Sequence, residues 1–438
     1  MAVTRFSQPP APGRSSPASV EGRIVPVLAG VAVGSVFLGV EPEVGAAVVR
    51  PFDGLVLLTA VVLAARVVVL GRLPRVSLGW SFFFAAAYLS FRSLDALVQS
   101  PLSTAVVETI QGVELLFLFW LVSVATRTVD GFIRFFTGLA SAVAGIVIWA
   151  TIYHLSIGEY FRYKSLDEPK LAFGVLLSLI VVARFERLPL NRLLRSRTAL
   201  ATVTLLVLFS GERKMWVGVA VALLVLVARP SKSLAPKLVL LTITALVVGA
   251  VAVGPLFADR LPEDNYTARQ LRSLSELPTV FAGDSERQSV SVSNESRTEL
   301  TEIAVEVFRD NPVAGIGPDN FAPFIRGLGP ERPRAGKSPH NEYLLAAAET
   351  GSIGLVLFGS LALSVAVNAS PRRSAAKRGR VGSDFVVAFS ALAVVVNLFL
   401  AGGVLNMVFL ILPAAVARGR DQERVAAAGR RPTLALNS

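Results

Sequence analysis

The chain is divided into apolar blocks of about 17–25 residues, each long enough to cross a lipid bilayer as an α-helix. Hydrophobic residues make up 53% of the 438 positions and charged residues only 17%, whereas soluble proteins are roughly a quarter charged. These features predict an all-α, polytopic transmembrane helical bundle. We expect about twelve spans by hydropathy, near 24–42, 52–71, 78–98, 103–125, 132–154, 170–185, 197–210, 214–228, 237–257, 341–367, 383–402 and 404–417.

Lysine and arginine are concentrated in alternate connections between the apolar blocks. The net charge of +12 therefore follows the positive-inside rule and does not indicate nucleic-acid binding. This alternation predicts a membrane protein with both termini in the cytoplasm and one long extracytoplasmic loop. We expect a disordered tail, an N-terminal bundle of about nine helices, the loop, the C-terminal helices and a basic tail, at 1–22, 23–257, 258–340, 341–417 and 418–438.

The side-chain inventory limits the chemistry of any active site. The sequence has no cysteine, which excludes disulfides, thiolate nucleophiles and cysteine-bound metals. Its two histidines are too few for a histidine-rich metal site, although carboxylates remain able to bind Mg²⁺ or Ca²⁺. We expect no cofactor, and the side-chain inventory leaves a carboxylate-bound metal open.

The long loop has the sequence features of a small folded unit. Ser296 and Glu299 form a capping box, and the apolar residues behind it recur at helical spacing, which predicts an amphipathic helix near 296–309. Pro312 ends this helix, and Gly315-Ile316-Gly317-Pro318 predicts a turn. A Gly-x-Gly with no strand before it is weak evidence for nucleotide binding, so we interpret it as a turn.

His340 lies where the loop meets the next apolar block, in Ser338-Pro339-His340-Asn341-Glu342-Tyr343-Leu344. Ser338 is a favourable N-cap and Pro339 a favourable first helical residue, which would place His340 in the first turn. The helix dipole disfavours the imidazolium form there, so a neutral His340 is suited to act as a general base. The alternative is a capping or interfacial histidine without a chemical role.

Two arginines lie in predicted outer connections, where the positive-inside rule disfavours them. Arg213 follows a short break between two apolar blocks, next to Lys214, and its planar guanidinium can bind two phosphate oxygens at once. Arg297 lies at the start of the amphipathic helix, where a cation opposes the helix dipole unless an anionic ligand docks there. Alternatively, Arg213 pairs with Glu212 and extends to the interface, and Arg297 is a solvated loop residue.

Two further groups are weaker candidates. Arg162 lies among aromatic residues in another outer connection, where aromatics more often form an interfacial belt than a sugar-stacking surface. Glu349 lies about two turns into the block that follows His340, close to the face of Glu342. A buried carboxylate at this position would either orient His340 or bond neighbouring helices, and the sequence leaves both roles open.

Several of these motifs together resemble the O-antigen ligase and O-antigen polymerase superfamily. They occur in the family's order between residues 205 and 360, while the N-terminal half is similar only in hydropathy. The motifs are Ser210-Gly211-Glu212-Arg213, then Arg297 followed by Pro312-Val313-Ala314-Gly315-Ile316-Gly317 and Asn320-Phe321, and finally Pro339-His340-Asn341-Glu342-Tyr343-Leu344 with Glu349-Thr350-Gly351.

The resemblance implies a GT-C-like fold and a glycosyltransferase that acts at the outer face of the cytoplasmic membrane. Its donor would be a glycan linked to undecaprenyl diphosphate, and its acceptor a hydroxyl of a glycan, lipid or protein. Arg213 and Arg297 would bind the diphosphate and His340 would be the base, in a metal-independent, inverting reaction. Further expected substrate-binding residues are Lys214, Asn341, Glu349 and Arg162.

A transporter or flippase of a lipid-linked or anionic solute is the alternative function. It predicts charged or glycine- and proline-broken helices near the bilayer midplane in both halves of the chain. The polar candidates collect instead on one predicted outer surface, which favours surface chemistry. Ligase and polymerase are not separable from the sequence, because they share the donor chemistry and differ in the acceptor.

Overall fold

The computed structural model describes residues 20–38, 43–44, 47–48, 50–70, 78–156, 169–188, 194, 196–209, 213–228, 292–329, 338–369, 381–398 and 404–428. Within these residues the chain is built almost entirely of α-helices, as the apolar blocks predict. The strands described are one short antiparallel pair, β1 (Glu43–Val44) and β2 (Ala47–Val48), in which Glu43 is opposite Val48.

The described residues form thirteen α-helices. The first eight are α1 (Val20–Ser35, followed by a 3₁₀ turn at Val36–Leu38), α2 (Pro51–Leu70), α3 (Trp80–Gln99), α4 (Leu102–Ala125), α5 (Val129–Ser156), α6 (Pro169–Glu186), α7 (Arg197–Phe209) and α8 (Arg213–Ala228). The last five are α9 (Val292–Asp310), α10 (Phe321–Gly327), α11 (Glu342–Ala369), α12 (Ser383–Asn397) and α13 (Val404–Ala428).

Several of these helices have the length and surface of membrane spans. By length and composition, four are long and apolar enough to cross a bilayer, and five shorter apolar helices accompany them. One of the four is α11, which is broken at Gly351. Apolar side chains face outwards on α3 and α4, such as Val98 at 84% and Leu102 at 73% exposure, which suits a surface in contact with lipid. The predicted span 237–257 lies outside the described residues, so the total of about twelve spans stays a prediction.

Helices α1 and α5 approach each other closely through small residues. A Cβ atom on Gly30 would collide with the carbonyl oxygen of Phe135, and one on Gly138 would collide with that of Val27. Helices in lipid associate in this way because lipid tails are as apolar as the side chains, so backbone-to-backbone packing supplies the attraction. These two helices therefore form one tightly packed unit of the N-terminal bundle.

Two contacts, one at each end of the bundle, join connections that the charge pattern places on the same side of the membrane. At one end, the Ser100 hydroxyl between α3 and α4 donates to the carbonyl oxygen of Pro318 at 3.0 Å, in the predicted outer loop. At the other end, Arg420 Nε donates to the carbonyl oxygen of Val381 at 3.0 Å, and both residues lie in predicted cytoplasmic connections. We call these the loop end and the basic end.

Helix α13 continues eleven residues beyond its predicted end at 417, to Ala428.

Helix α11 is not the single straight span predicted at 341–367. Gly351 has φ 63° and ψ −160°, which interrupts the helix. The rings of Tyr343 and Phe358 lie with centroids 5.2 Å apart, whereas a straight helix would separate residues 15 positions apart by about 22 Å. The chain therefore reverses at Gly351, and a first arm (342–350) folds back along a second arm (352–369).

The reversal changes the predicted position of His340. The Phe358 ring also contacts that of Tyr88 at 5.3 Å, and Tyr88 lies midway along α3. The start of the first arm is therefore at the depth of Tyr88, inside the bundle. The expectation that His340 lies at the outer mouth of a straight helix is wrong, because the arm that follows it runs from the interior towards the loop end.

Candidate functional site

His340 immediately precedes the first arm and is half-buried. Helix α11 begins at Glu342, and Asn341 caps it. The Asn341 side-chain oxygen accepts hydrogen bonds from the backbone N–H groups of Tyr343 at 3.0 Å and Leu344 at 3.1 Å. The predicted cap at Ser338 is therefore wrong, because Asn341 satisfies the N–H groups of the first turn, and His340 lies just before the helix.

Glu342 and Asn406 join the start of the first arm to the start of α13. The Asn406 side-chain amide donates to Glu342 Oε2 at 2.6 Å, and the two residues are 0% and 2% exposed respectively. Both lie in the first turns of their helices, where backbone N–H groups lack partners within the helix. Two helix N-termini, each with a partial positive charge, thus meet beside His340.

Helix α6 shows at which end of the bundle α8 begins. Gly174, near the start of α6, lies against Met215. Glu186, at the end of α6, accepts a hydrogen bond from the backbone N–H of Asp384 at 2.5 Å, beside the basic end. Arg213 is the first residue of α8 and therefore lies away from the basic end. The side chains of Arg213 and of its neighbour Lys214 lie outside the described residues.

Helix α9 packs directly on the first arm. Its buried residues Leu300 and Val307 belong to a small core that includes Phe321 of α10 and Leu345 of the first arm. The helix begins at Val292 and ends at Asp310. Its predicted end before Pro312 is therefore confirmed, but the capping box at Ser296 lies inside the helix and does not start it.

Arg297 lies in α9, one turn before Leu300. Because α9 packs on the first arm, the backbone of Arg297 belongs to the same small folded unit as the residues that follow His340. The Arg297 side chain lies outside the described residues, and Arg162 lies wholly outside them. Convergence of Arg213, Arg297 and His340 on one cavity therefore stays a prediction.

The segment 311–320 docks on the break in α11, and we call it the docking loop. It makes four backbone hydrogen bonds to the residues around Gly351, which satisfy groups that the break removes from the helix ladder. These bonds run from Ile316 N to Ala348 O (3.1 Å), Gly317 N to Glu349 O (2.8 Å), Ser352 N to Pro312 O (2.8 Å) and Ile353 N to Val313 O (3.4 Å). The predicted turn is confirmed, with positive φ at Gly315 and Gly317.

A buried ion network, which sequence reasoning missed, links the docking loop to the spans. Arg92 of α3 donates to both carboxylate oxygens of Glu108 in α4, at 2.9 and 2.7 Å. Its guanidinium also lies 3.7 Å from Asp319 of the docking loop and 4.0 Å from Glu349 of the first arm. Two ionisable residues within predicted spans were the available signal, because such residues inside a membrane rarely lack a role.

Glu349 is 3% exposed, behind the docking loop. One of its carboxylate oxygens accepts the backbone N–H of Phe321 at 3.3 Å, and the other faces Arg92. Of the two roles that the sequence left open, these contacts favour the bonding of neighbouring segments. Its predicted contact with substrate stays untested.

Comparison with known families agrees with the motif order. Residues 198–359 match the model of the O-antigen ligase family. The match runs from α7 through Arg213, Arg297 and His340 into the second arm, so it contains the docking loop, the first arm and the start of the second arm. The resemblance to the O-antigen ligase and polymerase superfamily is confirmed over this segment. No curated protein sequence matches the chain.

Proposed function

We propose that this membrane protein of the O-antigen ligase and polymerase superfamily transfers a glycan from an undecaprenyl diphosphate carrier to an acceptor hydroxyl. In this proposal the loop end faces outwards from the inner membrane, both termini are cytoplasmic, and about twelve spans form a GT-C-like bundle. The acceptor is a glycan, a lipid or a protein.

The proposed reaction is one displacement at the anomeric carbon. His340 takes the proton of the acceptor hydroxyl, and the oxygen attacks the anomeric carbon from the face opposite the carrier. The bond from that carbon to the diphosphate oxygen breaks, and undecaprenyl diphosphate leaves with the electron pair. Arg213 and Arg297 neutralise the charge that develops on the diphosphate, so the reaction inverts the anomeric carbon and uses no metal.

The main structural support for this proposal is the unit formed by α9, the docking loop and the first arm. It joins the helix of Arg297 to the segment that follows His340 through a shared core. Its first arm begins where two helix N-termini meet, at the Glu342–Asn406 hydrogen bond of 2.6 Å. Helix dipoles at such a position favour an anionic group such as a diphosphate.

Alanine substitutions of His340, Arg213 and Arg297 in a deletion strain test the proposal. Each loses one contact made in the transition state, so we expect transfer to fall by about 100- to 1,000-fold and surface glycan to disappear. Arg309→Ala is the matched control, because Arg309 is an exposed arginine in the last turn of α9. Full surface glycan in all three variants would refute the catalytic assignment.

The location of the unused donor separates the enzyme from a flippase. If the protein is a transferase, the inactive variants accumulate lipid-linked glycan in the outer leaflet, where an added glycosidase releases it from intact spheroplasts. If the protein is a flippase, the same glycan accumulates in the inner leaflet and is released only after the membrane is opened.

A further inference from the structure

We propose that Asn406 is a positioning residue for His340, which it holds through Glu342 at the inner end of the first arm. The inference rests on the proposed function, because it concerns how the general base is placed for the transfer reaction.

The first arm is a short rod held near both ends. At its outer end, the backbone carbonyl oxygens of Ala348 and Glu349 accept hydrogen bonds from the docking loop. At its inner end, Glu342 accepts the hydrogen bond from Asn406, one residue after the Asn341 cap and two after His340. The inner contact is the one close to His340, so it controls the position of the imidazole most directly.

The level of Asn406 in the bundle is fixed by α13. The Ser123 hydroxyl of α4 donates to the carbonyl oxygen of Ala415 at 3.2 Å, and Gly419 lies against Thr126 one turn further on. The two helices are therefore parallel and in close register near the basic end. Asn406 precedes Ala415 by nine residues, or about 13 Å, which places it level with the middle of α4.

The buried position of the Glu342 carboxylate makes its hydrogen bond from Asn406 important for the placement of the arm. A carboxylate at this depth has little water to solvate it, so it requires a polar partner. Replacing Asn406 by leucine removes this hydrogen-bond donor from the Glu342 carboxylate. The carboxylate then shifts, and the start of the first arm moves with it. Loss of a hydrogen bond to a charged group corresponds to roughly 10- to 100-fold in an equilibrium, and we expect a loss of that size in kcat.

The proposal predicts a separation of kcat from KM. The lipid-linked glycan that accumulates in the deletion strain serves as the donor, and membrane vesicles of that strain supply the native acceptor. With full-length protein reconstituted in these vesicles, Asn406→Leu lowers kcat by about 10- to 100-fold and changes the KM for the donor by less than about threefold. A change confined to KM, or no change, overturns the proposal.

Asn397→Leu is the matched control. Asn397 is also 0% exposed, but its side-chain amide donates to the carbonyl oxygen of Ala393 within its own helix, at 2.8 Å. We expect this variant to keep kcat within about threefold, since no contact with the first arm is lost. An equal loss of kcat in both variants would mean that any buried asparagine is needed for packing, and it would overturn the proposal.

If Asn406→Leu fails to fold, variants that exchange the amide and the carboxylate between positions 406 and 342 test the proposal instead. Asn406→Asp alone places two carboxylates at hydrogen-bond distance and lowers kcat. Adding Glu342→Gln restores one amide and one carboxylate with their places exchanged, and we expect kcat to recover by at least tenfold. Absence of recovery in the folded double variant overturns the proposal. The unaltered protein and His340→Ala, assayed in parallel, separate the two hypotheses. Absence of transfer by the unaltered protein refutes the proposed function, whereas full activity of His340→Ala refutes the role of His340 as the base.

Discussion

Replacing Gly351 by alanine tests the reversal of α11 and the docking loop together. Gly351 has φ 63° and ψ −160°, a combination that residues with a Cβ rarely adopt. An added Cβ would collide with the carbonyl oxygen of Val313 and would lie 2.6 Å from the backbone nitrogen of Ala314. Because these atoms belong to backbone, the docking loop has to move away from the break.

The size of the effect follows from two contributions. Forcing a Cβ into this backbone conformation costs about 1–3 kcal/mol. Displacing the docking loop weakens four backbone hydrogen bonds, each with a net value of about 0.5–1.5 kcal/mol. We therefore expect Gly351→Ala to destabilise the loop end of the bundle by several kcal/mol and to abolish surface glycan, even though Gly351 is not among the proposed catalytic residues.

Gly359→Ala in the second arm is the matched control. A Cβ at Gly359 would meet nothing within 4 Å, and alanine favours a helix over glycine by about 1 kcal/mol. The assay compares thermal unfolding of the purified, detergent-solubilised variants and the surface glycan of complemented deletion strains. Equal thermal stability of the two variants would show that the break and its docking loop do not exist as described.

Two further predictions concern the ion network and the loop end. Arg92→Gln removes the cation from the buried Glu108 and should destabilise the protein by about 3–5 kcal/mol. Arg134→Gln, the control, loses an exposed i,i+4 pair and should cost less than about 1 kcal/mol. Similar melting temperatures for the two variants would contradict a buried network. The side chains of Ser100 and Asn320 lie 3.2 Å apart. If both are replaced by cysteine in this otherwise cysteine-free chain, a short thiol-specific cross-linker should join them. A pair that stays unlinked in folded protein would contradict the docking of the loop.

Helix locations were predictable because hydropathy reports them directly. The predicted spans 78–98 and 103–125 correspond to α3 and α4, and Pro312 marks the end of α9 as expected. The reversal at Gly351 was not predictable in the same way. Glycine is common inside membrane helices, so nothing within the apolar block distinguishes a break from a continuous span. The cause of the break is its contact with residues 312–317, which periodicity does not report.

The candidate site was predictable in its residue types but not in its geometry. Histidine scarcity and the motif order single out His340, but they do not identify the adjacent Asn341 as the helix cap. The sequence favours Ser338 as the cap because serine before proline is a common helix start, whereas the chain at 338–341 is non-helical. The pairing of Arg92 with Glu108 was not predictable because the two residues lie in different spans. Only the packing of α3 on α4 makes them a pair.

The described part of the long loop, residues 292–329, is not an independent appendage of the proposed site. Its helices α9 and α10 share a core with the first arm, and its docking loop is bonded to the break that creates that arm. A straight α11 would carry Glu342 outwards, away from Asn406, because the residues before Gly351 would then extend beyond the loop end. The depth of His340 in the bundle therefore depends on loop residues that lie outside the spans. Substitutions in the docking loop should for this reason reduce transfer as strongly as substitutions next to His340.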